Sequence, residues 1–391
     1  MASNGEQSLP VPQIYLDNQA TTRCDPRVLK AMLPYFSEHY GNAASSSHRF
    51  GWTAEAAVEL AREQVAHAIG ANTNEIVFCS GATEANNLAI AGAAQAYQAR
   101  GKHIVVAATE HLSVLDCASA LEQQGFSLSV LPVLKSGAID PRVLRDALRE
   151  DTTLVSLMLA NNEIGRVQDI AGLSALVHEF NPKIIFHSDA AQALGKIPVD
   201  VKTLGADLIS LSAHKIYGPK GVGALWRRRR PRLVLQPGIV GGGHEWGLRS
   251  GTLPVPLLVG FGLAAQLATD KLSEENERLR NLSELLLRRL QDALPGVKLN
   301  GSLEHRLPGN LNLAIAGISA DTLLSDLPEL ALSTGSACSS AAGKASHVLA
   351  AIVDSARARS SLRIGLGRFS TQQEVEEATG YIVRAVKALR A

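Results

Sequence analysis

Two residues in this sequence are placed to do chemistry that most side chains cannot, a lysine behind an apolar strand and a cysteine among small residues. Lys215 closes the run Ser210-Leu-Ser-Ala-His-Lys215. A lysine after an apolar strand is usually solvated. Here Ser212 and His214 precede it, and the glycine-rich Gly218-Pro-Lys-Gly-Val-Gly223 follows. A partly desolvated lysine has a lowered pKa and can form a Schiff base with a carbonyl compound.

Two further segments suit such a lysine. Ser80-Gly-Ala-Thr-Glu84 follows an apolar run and precedes a helical one, Ala85 to Ala94. Small residues at a helix start leave backbone N–H groups facing outward, and Ala82 and Thr83 there can hold a phosphate. Phe186-His-Ser-Asp-Ala-Ala-Gln192 sets Asp189 just beyond the carboxyl end of an apolar strand, where open α/β sheets bind ligands. A carboxylate there can cap a helix, or it can pair with a protonated pyridine nitrogen and keep the ring an electron sink. A phosphate turn, then an aspartate, then a lysine, each at its own strand end, read as a pyridoxal-phosphate site of fold type I.

Cys338 lies in Ser333-Thr-Gly-Ser-Ala-Cys-Ser-Ser-Ala-Ala-Gly-Lys-Ala-Ser-His347. Nearly every residue is small and no apolar face exists, so the segment buries little surface against its ordering entropy and is expected to be a mobile loop. A structural cysteine belongs in an apolar element, which is the reading for Cys79 and Cys117; Cys24 is expected to be inert as well. The thiolate is the nucleophilic form of cysteine.

These side chains need a scaffold. With 391 residues and 46% hydrophobic content the chain can bury one large core and a smaller second one. A net charge of +1 gives no electrostatic reason to expect nucleic acid or an anionic membrane as partner. Residues 1–12 are polar and contain proline, so they are expected to be disordered and not a signal peptide. None of the cysteines is spaced as CxxC, which speaks against a zinc knuckle or redox dithiol, and a reduced, cytoplasmic setting is expected. The apolar stretch Leu253 to Ala268 is shorter than a membrane span and reads as a buried helix.

Apolar runs at 75–79, 103–108, 127–131, 153–159, 183–187 and 207–211, followed by the expected strand 223–226, alternate with helical patterns. Several are continuously apolar, as strands buried on both faces are. Thr53 is expected to cap a helix ending before Gly70, and Asp140-Pro141 reads as an N-cap followed by proline. The expected fold is α/β: a mainly parallel seven-stranded sheet flanked by helices, with a smaller α+β C-terminal domain. The pattern changes near Leu272, which divides the chain into a cofactor domain at 25–271 and a small domain made of 13–24 and 272–391.

The chain resembles the class V aminotransferase family, and within it the cysteine desulfurases of the NifS/IscS type. The motifs are Tyr15-Leu-Asp-Asn-Gln-Ala-Thr-Thr22, Gly41-Asn42, Ser47-His-Arg49, Thr109-Glu-His111, Asn161-Asn-Glu-Ile-Gly165, Ser212-Ala-His-Lys215, Arg249-Ser-Gly-Thr252, Ser336-Ala-Cys-Ser339 and Leu362-Arg363. The resemblance implies that Lys215 carries the cofactor, that Ala82, Thr83, Ser212 and His214 hold its phosphate, and that Thr252 reaches the phosphate of a partner subunit in a homodimer with shared sites. His111 would stack on the pyridine ring and is a candidate to manage the thiol proton. Asp189 would pair with the ring nitrogen, and Gln192 and Asn162 would meet the phenolic oxygen. Arg363, with Asn162 and Asn42, would bind the substrate carboxylate.

The implied activity is removal of sulfur from L-cysteine, giving L-alanine and a persulfide on Cys338. That sulfur would go to an acceptor or an iron–sulfur scaffold protein for cluster or other sulfur-compound synthesis. No metal is expected in the resting enzyme, although Cys338 could ligate a transferred iron–sulfur cluster. A selenocysteine lyase or an ordinary class V aminotransferase are the alternatives. Three departures from the family pattern stand out. Gly343-Lys-Ala345 replaces the common Leu-Glu-Pro, Trp246 stands where arginine is common, and the sequence ends at Ala391 without the longer tail used for scaffold docking.

Overall fold

Alternation between two apolar faces is the feature of the strands that decides the architecture. In the computed structural model, which describes residues 14–335 and 346–391, β1 (Ile14–Tyr15) comes first. One sheet is then built from β2 (Ile76–Cys79), β3 (His103–Ala107), β4 (Ser127–Leu131), β5 (Thr152–Ser156), β6 (Ile185–Asp189), β7 (Leu208–Ser212) and β8 (Gly223–Arg227). Ile76, Phe78, Val105 and Ala107 enter the core on one face, and Val77, Cys79, Ile104 and Val106 enter the core on the other. A strand whose neighbours on both sides are apolar needs helices over both faces, and the chain supplies them.

The strand order is β2-β8-β7-β6-β5-β3-β4. β4, β3, β5, β6 and β7 pair in parallel, and β8 runs antiparallel to both β2 and β7. The sheet is thus the mainly parallel, seven-stranded one expected. Its parallel strands deliver their carboxyl ends to one edge, where Asp189 ends β6 and Ser212 ends β7. Lys215 follows on the short turn Ala213–Lys215.

A second core is formed by Leu279, Leu286 and Leu290 of the helix Leu272–Ala293, by Val375, Ile382 and Val386 of the helix Gln372–Arg390, and by Ile14 and Leu16. These cover a three-stranded antiparallel sheet of β9 (Val297–Leu299), β10 (Asn310–Ile315) and β12 (Ser361–Gly365) in the order β12-β10-β9. β1 pairs in parallel with β11 (Leu330–Ala331), which ties the start of the described chain to the C-terminal part.

Two local expectations need correcting. The helix expected to start at Thr53 runs Arg49–Ala68, and its cap is His48, whose Nδ1 accepts from Gly51 N at 3.2 Å. The preceding serines hid this start, because apolar periodicity begins only a turn later. The expected strand 153–159 is regular only to Ser156. Leu157 and Leu159 still donate to the carbonyls of His187 and Asp189, at 3.0 and 2.9 Å, while the ladder gives way to the turn bearing Asn161 and Asn162. The caps at Asp140 and the glycine after Ile69 are as read: Asp140 accepts from Arg142 N, and Gly70 has φ +66°.

Gly223 is a tight point of the large sheet, next to the turn that follows β2. A Cβ there would meet Leu211 O at 2.5 Å and the Gly81 backbone at 2.8 Å. Only a glycine lets β8 press against the turn that follows β2. Gly223→Ala is therefore expected to cost about 1–3 kcal/mol in denaturant unfolding, as overpacking does, and to weaken pyridoxal-phosphate binding by displacing residues 80–83. Unchanged stability and affinity would contradict this reading.

Candidate active site

The strand ends open onto a cavity of about 400 Å³. Its walls include Ala82, Thr83, His111, Asn162, Asp189, Gln192, Ser212, His214, Lys215 and Arg363. Residues separated by more than 280 positions therefore share one wall system. Asn42 and Thr252 do not line it: both are exposed, and Asn42 Oδ1 accepts from Ala44 N in a turn. Cys338 lies outside the described residues.

Each side chain is set by a named contact. Lys215 Nζ donates to the carbonyls of Gln19 and Ala20, at 2.6 and 2.7 Å. Asp189 Oδ1 accepts from Ala191 N and its Oδ2 from Asn86 Nδ2, each at 2.9 Å. Gln192 Nε2 donates to Gln19 O at 2.9 Å, and its Oε1 accepts from Lys196 Nζ at 2.7 Å. Asn161 Oδ1 accepts from the N–H groups of Glu163 and Ile164, which shapes the turn that carries Asn162 into the wall. Arg363 is almost fully buried; it donates from Nη2 to Asp17 Oδ1 at 2.8 Å and from Nη1 to Asn162 O at 3.3 Å.

The electrostatics are those of a buried cationic site. Burial, with Lys215, Lys220 and Lys196 nearby, pushes the His214 imidazole down to about 4. Burial, reinforced by Lys215 and Arg363, brings the Lys196 amine down to about 7. Burial also raises the Asp17 carboxyl, against the pull of Arg363 and Lys215. Cations crowded this closely disfavour one another, and an anion bound among them would restore their charged forms.

The wall fits a phosphate and a pyridine. The helix Ala82–Tyr97 starts in the cavity wall with no side chain capping its first turn. Ser212 Oγ is buried there without a hydrogen-bond partner. Free N–H groups at a helix start and an orphaned hydroxyl are what a bound phosphate oxygen satisfies. Asp189 lines the same cavity, and Lys215 lines it too, a lysine that can hold the carbonyl end.

The sequence pattern of the Aminotransferase class-V family matches residues 14–377. The chain belongs to that family. Its cofactor is pyridoxal phosphate. A protein named cysteine desulfurase IscS from Anaeromyxobacter sp. (strain Fw109-5) is 53% identical over 378 residues, covering 96% of this chain and 93% of that protein. The human cysteine desulfurase is 50% identical over 96% of this chain and 82% of its own length. Among solved structures, a NifS-like protein superposes with a TM-score of 0.90 at 36% identity, covering 96% of this chain and all of that one. SspA in complex with cysteine superposes at 0.81 with 35% identity, over 92% and 100% of the two chains.

Several contributors to this family site were missed from sequence. Asp17, Gln19, Asn86, Ser113 and Lys196 all act by holding another residue, and nothing in local spacing marks such a partner. Trp246 is explained by its neighbour: its ring lies 4.9 Å from the Arg62 guanidinium, which pairs with buried Glu245 at 2.8 Å. Burial pushes the Cys117 thiol up to about 11 and the Cys79 thiol higher still, so both stay protonated at neutral pH.

Removing the orphaned hydroxyl should separate binding from folding. Ser212→Ala is expected to leave the unfolding midpoint of the cofactor-free protein unchanged, since that hydroxyl has no protein partner. Pyridoxal-phosphate affinity should fall ten- to roughly hundredfold, the effect of losing a hydrogen bond to a charged group. Equal affinity in titrations followed by cofactor absorbance would rule out a phosphate at Ser212.

Proposed function

We propose that this chain is a cysteine desulfurase that moves sulfur from L-cysteine onto Cys338. The observation that carries the reading is the convergence on one cavity of Lys215, Asp189, His111 and Arg363, with both described ends of the segment holding Cys338 bonded to residues of the wall or next to it. On one side, Ser333 and Arg363 bond each other through their backbones, and Ser333 Oγ donates to Gly335 O at 2.7 Å. On the other, Ser346 Oγ donates to buried Glu163, and His347 Nε2 meets Glu110 O at 2.9 Å. The names of the close relatives support the same activity.

When bound, pyridoxal phosphate supplies an electron sink for the substrate α-carbon. Ala82, Thr83, Ser212 and His214 would hold its phosphate, Asp189 its ring nitrogen, and Gln192 and Asn162 its phenolic oxygen. Arg363 binds the substrate carboxylate as a bidentate pair, with Asp17 holding the guanidinium in place from the other edge. Lys215 takes the α-proton and returns one to the product. The Cys338 thiolate attacks the substrate sulfur; an S–S bond forms as the C–S bond breaks, the bonding pair goes to carbon, and protonation there gives alanine. The persulfide on Cys338 then passes to an acceptor protein, such as an iron–sulfur scaffold.

A homodimer with shared sites suits two features. Thr252 is exposed and outside its own cavity. Phe36, Tyr40, Phe50 and Trp52 are half or more exposed, an apolar surface that a second copy would cover.

Cys338→Ser tests the activity. The parent is expected to form alanine and a persulfide from cysteine. The variant should bind cofactor normally and lose alanine production by about a hundredfold or more, as loss of a nucleophile does. Alanine formed at the parent rate would refute the assignment. Oxo-acid-dependent amino transfer would favour the aminotransferase alternative.

A further inference from the structure

Among the described residues, His111 is the imidazole of the cavity wall whose ring nitrogens are told apart by their partners. Its Nδ1 accepts from Ser113 N at 3.1 Å and lies 2.8 Å from Ser113 Oγ. Ser113 Oγ in turn accepts from Asn86 Nδ2 at 2.8 Å. The other Asn86 amide hydrogen goes to Asp189 Oδ2 at 2.9 Å. Asn86 is fully buried, and its Oδ1 has no partner.

The donors in this chain have one consistent assignment. Turning the Asn86 amide over would set its oxygen against Asp189 Oδ2, itself an acceptor, so the nitrogen must face Asp189. Both amide hydrogens are then committed, one to Asp189 and one to Ser113. With that bond accepted, the single Ser113 hydroxyl hydrogen points to His111 Nδ1. Nδ1 thus receives two donors and cannot carry a proton without losing both. The proton of the neutral ring is on Nε2.

We propose that Asn86 and Ser113 are positioning residues that lock His111 as its Nε2–H tautomer, so that it offers the cavity a hydrogen-bond donor and not a base. This rests on the active-site reading above and alters one part of it. Nε2 already holds a proton, and Nδ1 is closed by the Ser113 N–H and O–H. His111 is therefore not the base for the attacking thiol, which enters as the thiolate, and its Nε2–H is a donor toward the reacting centre. The same chain ties His111 to Asp189, so the imidazole and the pyridine-facing carboxylate are held as one unit.

The surroundings favour the neutral ring. Burial lowers the His111 pKa, and Lys215 and His347 act in the same direction, while Asp189 and Asp116 oppose them. Glu110, next to His111, is fully buried, and burial raises its carboxyl well above the usual range, against the Met158 N–H it accepts, which weakens it as a counter-charge.

The test is nitrogen-15 spectroscopy of the histidines in the full chain, with and without pyridoxal phosphate, combined with kinetics on cysteine. The parent should show His111 with a bare Nδ1 and a protonated Nε2 through neutral pH. Ser113→Ala removes a donor to the neutral ring, so imidazolium formation should move up by about half to one pH unit. Asn86→Ala frees the Ser113 hydroxyl to accept, and should populate the second tautomer. Ser113→Thr keeps the hydroxyl and should restore the parent spectrum. Turnover should fall in the first two variants, with KM for cysteine within about twofold and the unfolding midpoint of the cofactor-free protein little changed. A proton on Nδ1 in the parent, or parent-like tautomer and titration in both Ser113→Ala and Asn86→Ala, overturns the proposal. The spectra need no substrate, so a parent that makes no alanine would sink the desulfurase reading while leaving this inference to its own result.

Discussion

The bonds from the Lys215 amine to the carbonyls of Gln19 and Ala20 join two parts of the chain almost 200 positions apart. Lys215 belongs to the turn after β7, while residues 19 and 20 lie just after the strand that pairs with β11. A lysine amine inside a wall needs acceptors, and backbone carbonyls supply them without adding a charge. The N-terminal segment is thus held against the large sheet at the wall of the cavity. Gln19 also accepts from Gln192, and Asp17 from Arg363. One short segment thereby sets the lysine, the glutamine and the arginine.

Around that junction the wall is cationic and short of acceptors. His214 and Lys196 are both held toward their neutral forms by burial and by the lysines and arginine around them. Such a site is tuned for a dianionic ligand: binding supplies the missing charge and the missing acceptors together. The orphaned Ser212 hydroxyl and the uncapped start of the helix Ala82–Tyr97 mark where that charge belongs. Asp189, bonded to Ala191 and Asn86, lines the same cavity.

The fold was largely legible because its strands are buried on both faces, which leaves continuous apolar runs in the sequence. The ends were less so. His48 caps its helix from a serine-rich stretch that carries no periodicity, and β5 yields to a turn whose residues are as apolar as the strand. In the cavity wall, the residues proposed to hold the ligand were legible as types at strand ends: lysine, aspartate, a small-residue turn. Residues that hold those residues were not. Asp17 was quoted in a motif without a role, and Asn86 and Ser113 look like ordinary helix residues until Asp189 and His111 are set beside them. A hydrogen-bond chain between positions 86, 111, 113 and 189 leaves no mark on spacing along one chain.

The central claim is that Lys215, of the lysines at this cavity, holds the cofactor. Borohydride reduction of the pyridoxal-phosphate-loaded protein fixes the cofactor covalently to the lysine that carries it, and peptide mass spectrometry then reads the position. The account predicts the mass addition on Lys215 alone, and its loss in Lys215→Ala. A label on Lys196 or Lys220 in the parent, or an undiminished label in Lys215→Ala, would contradict it.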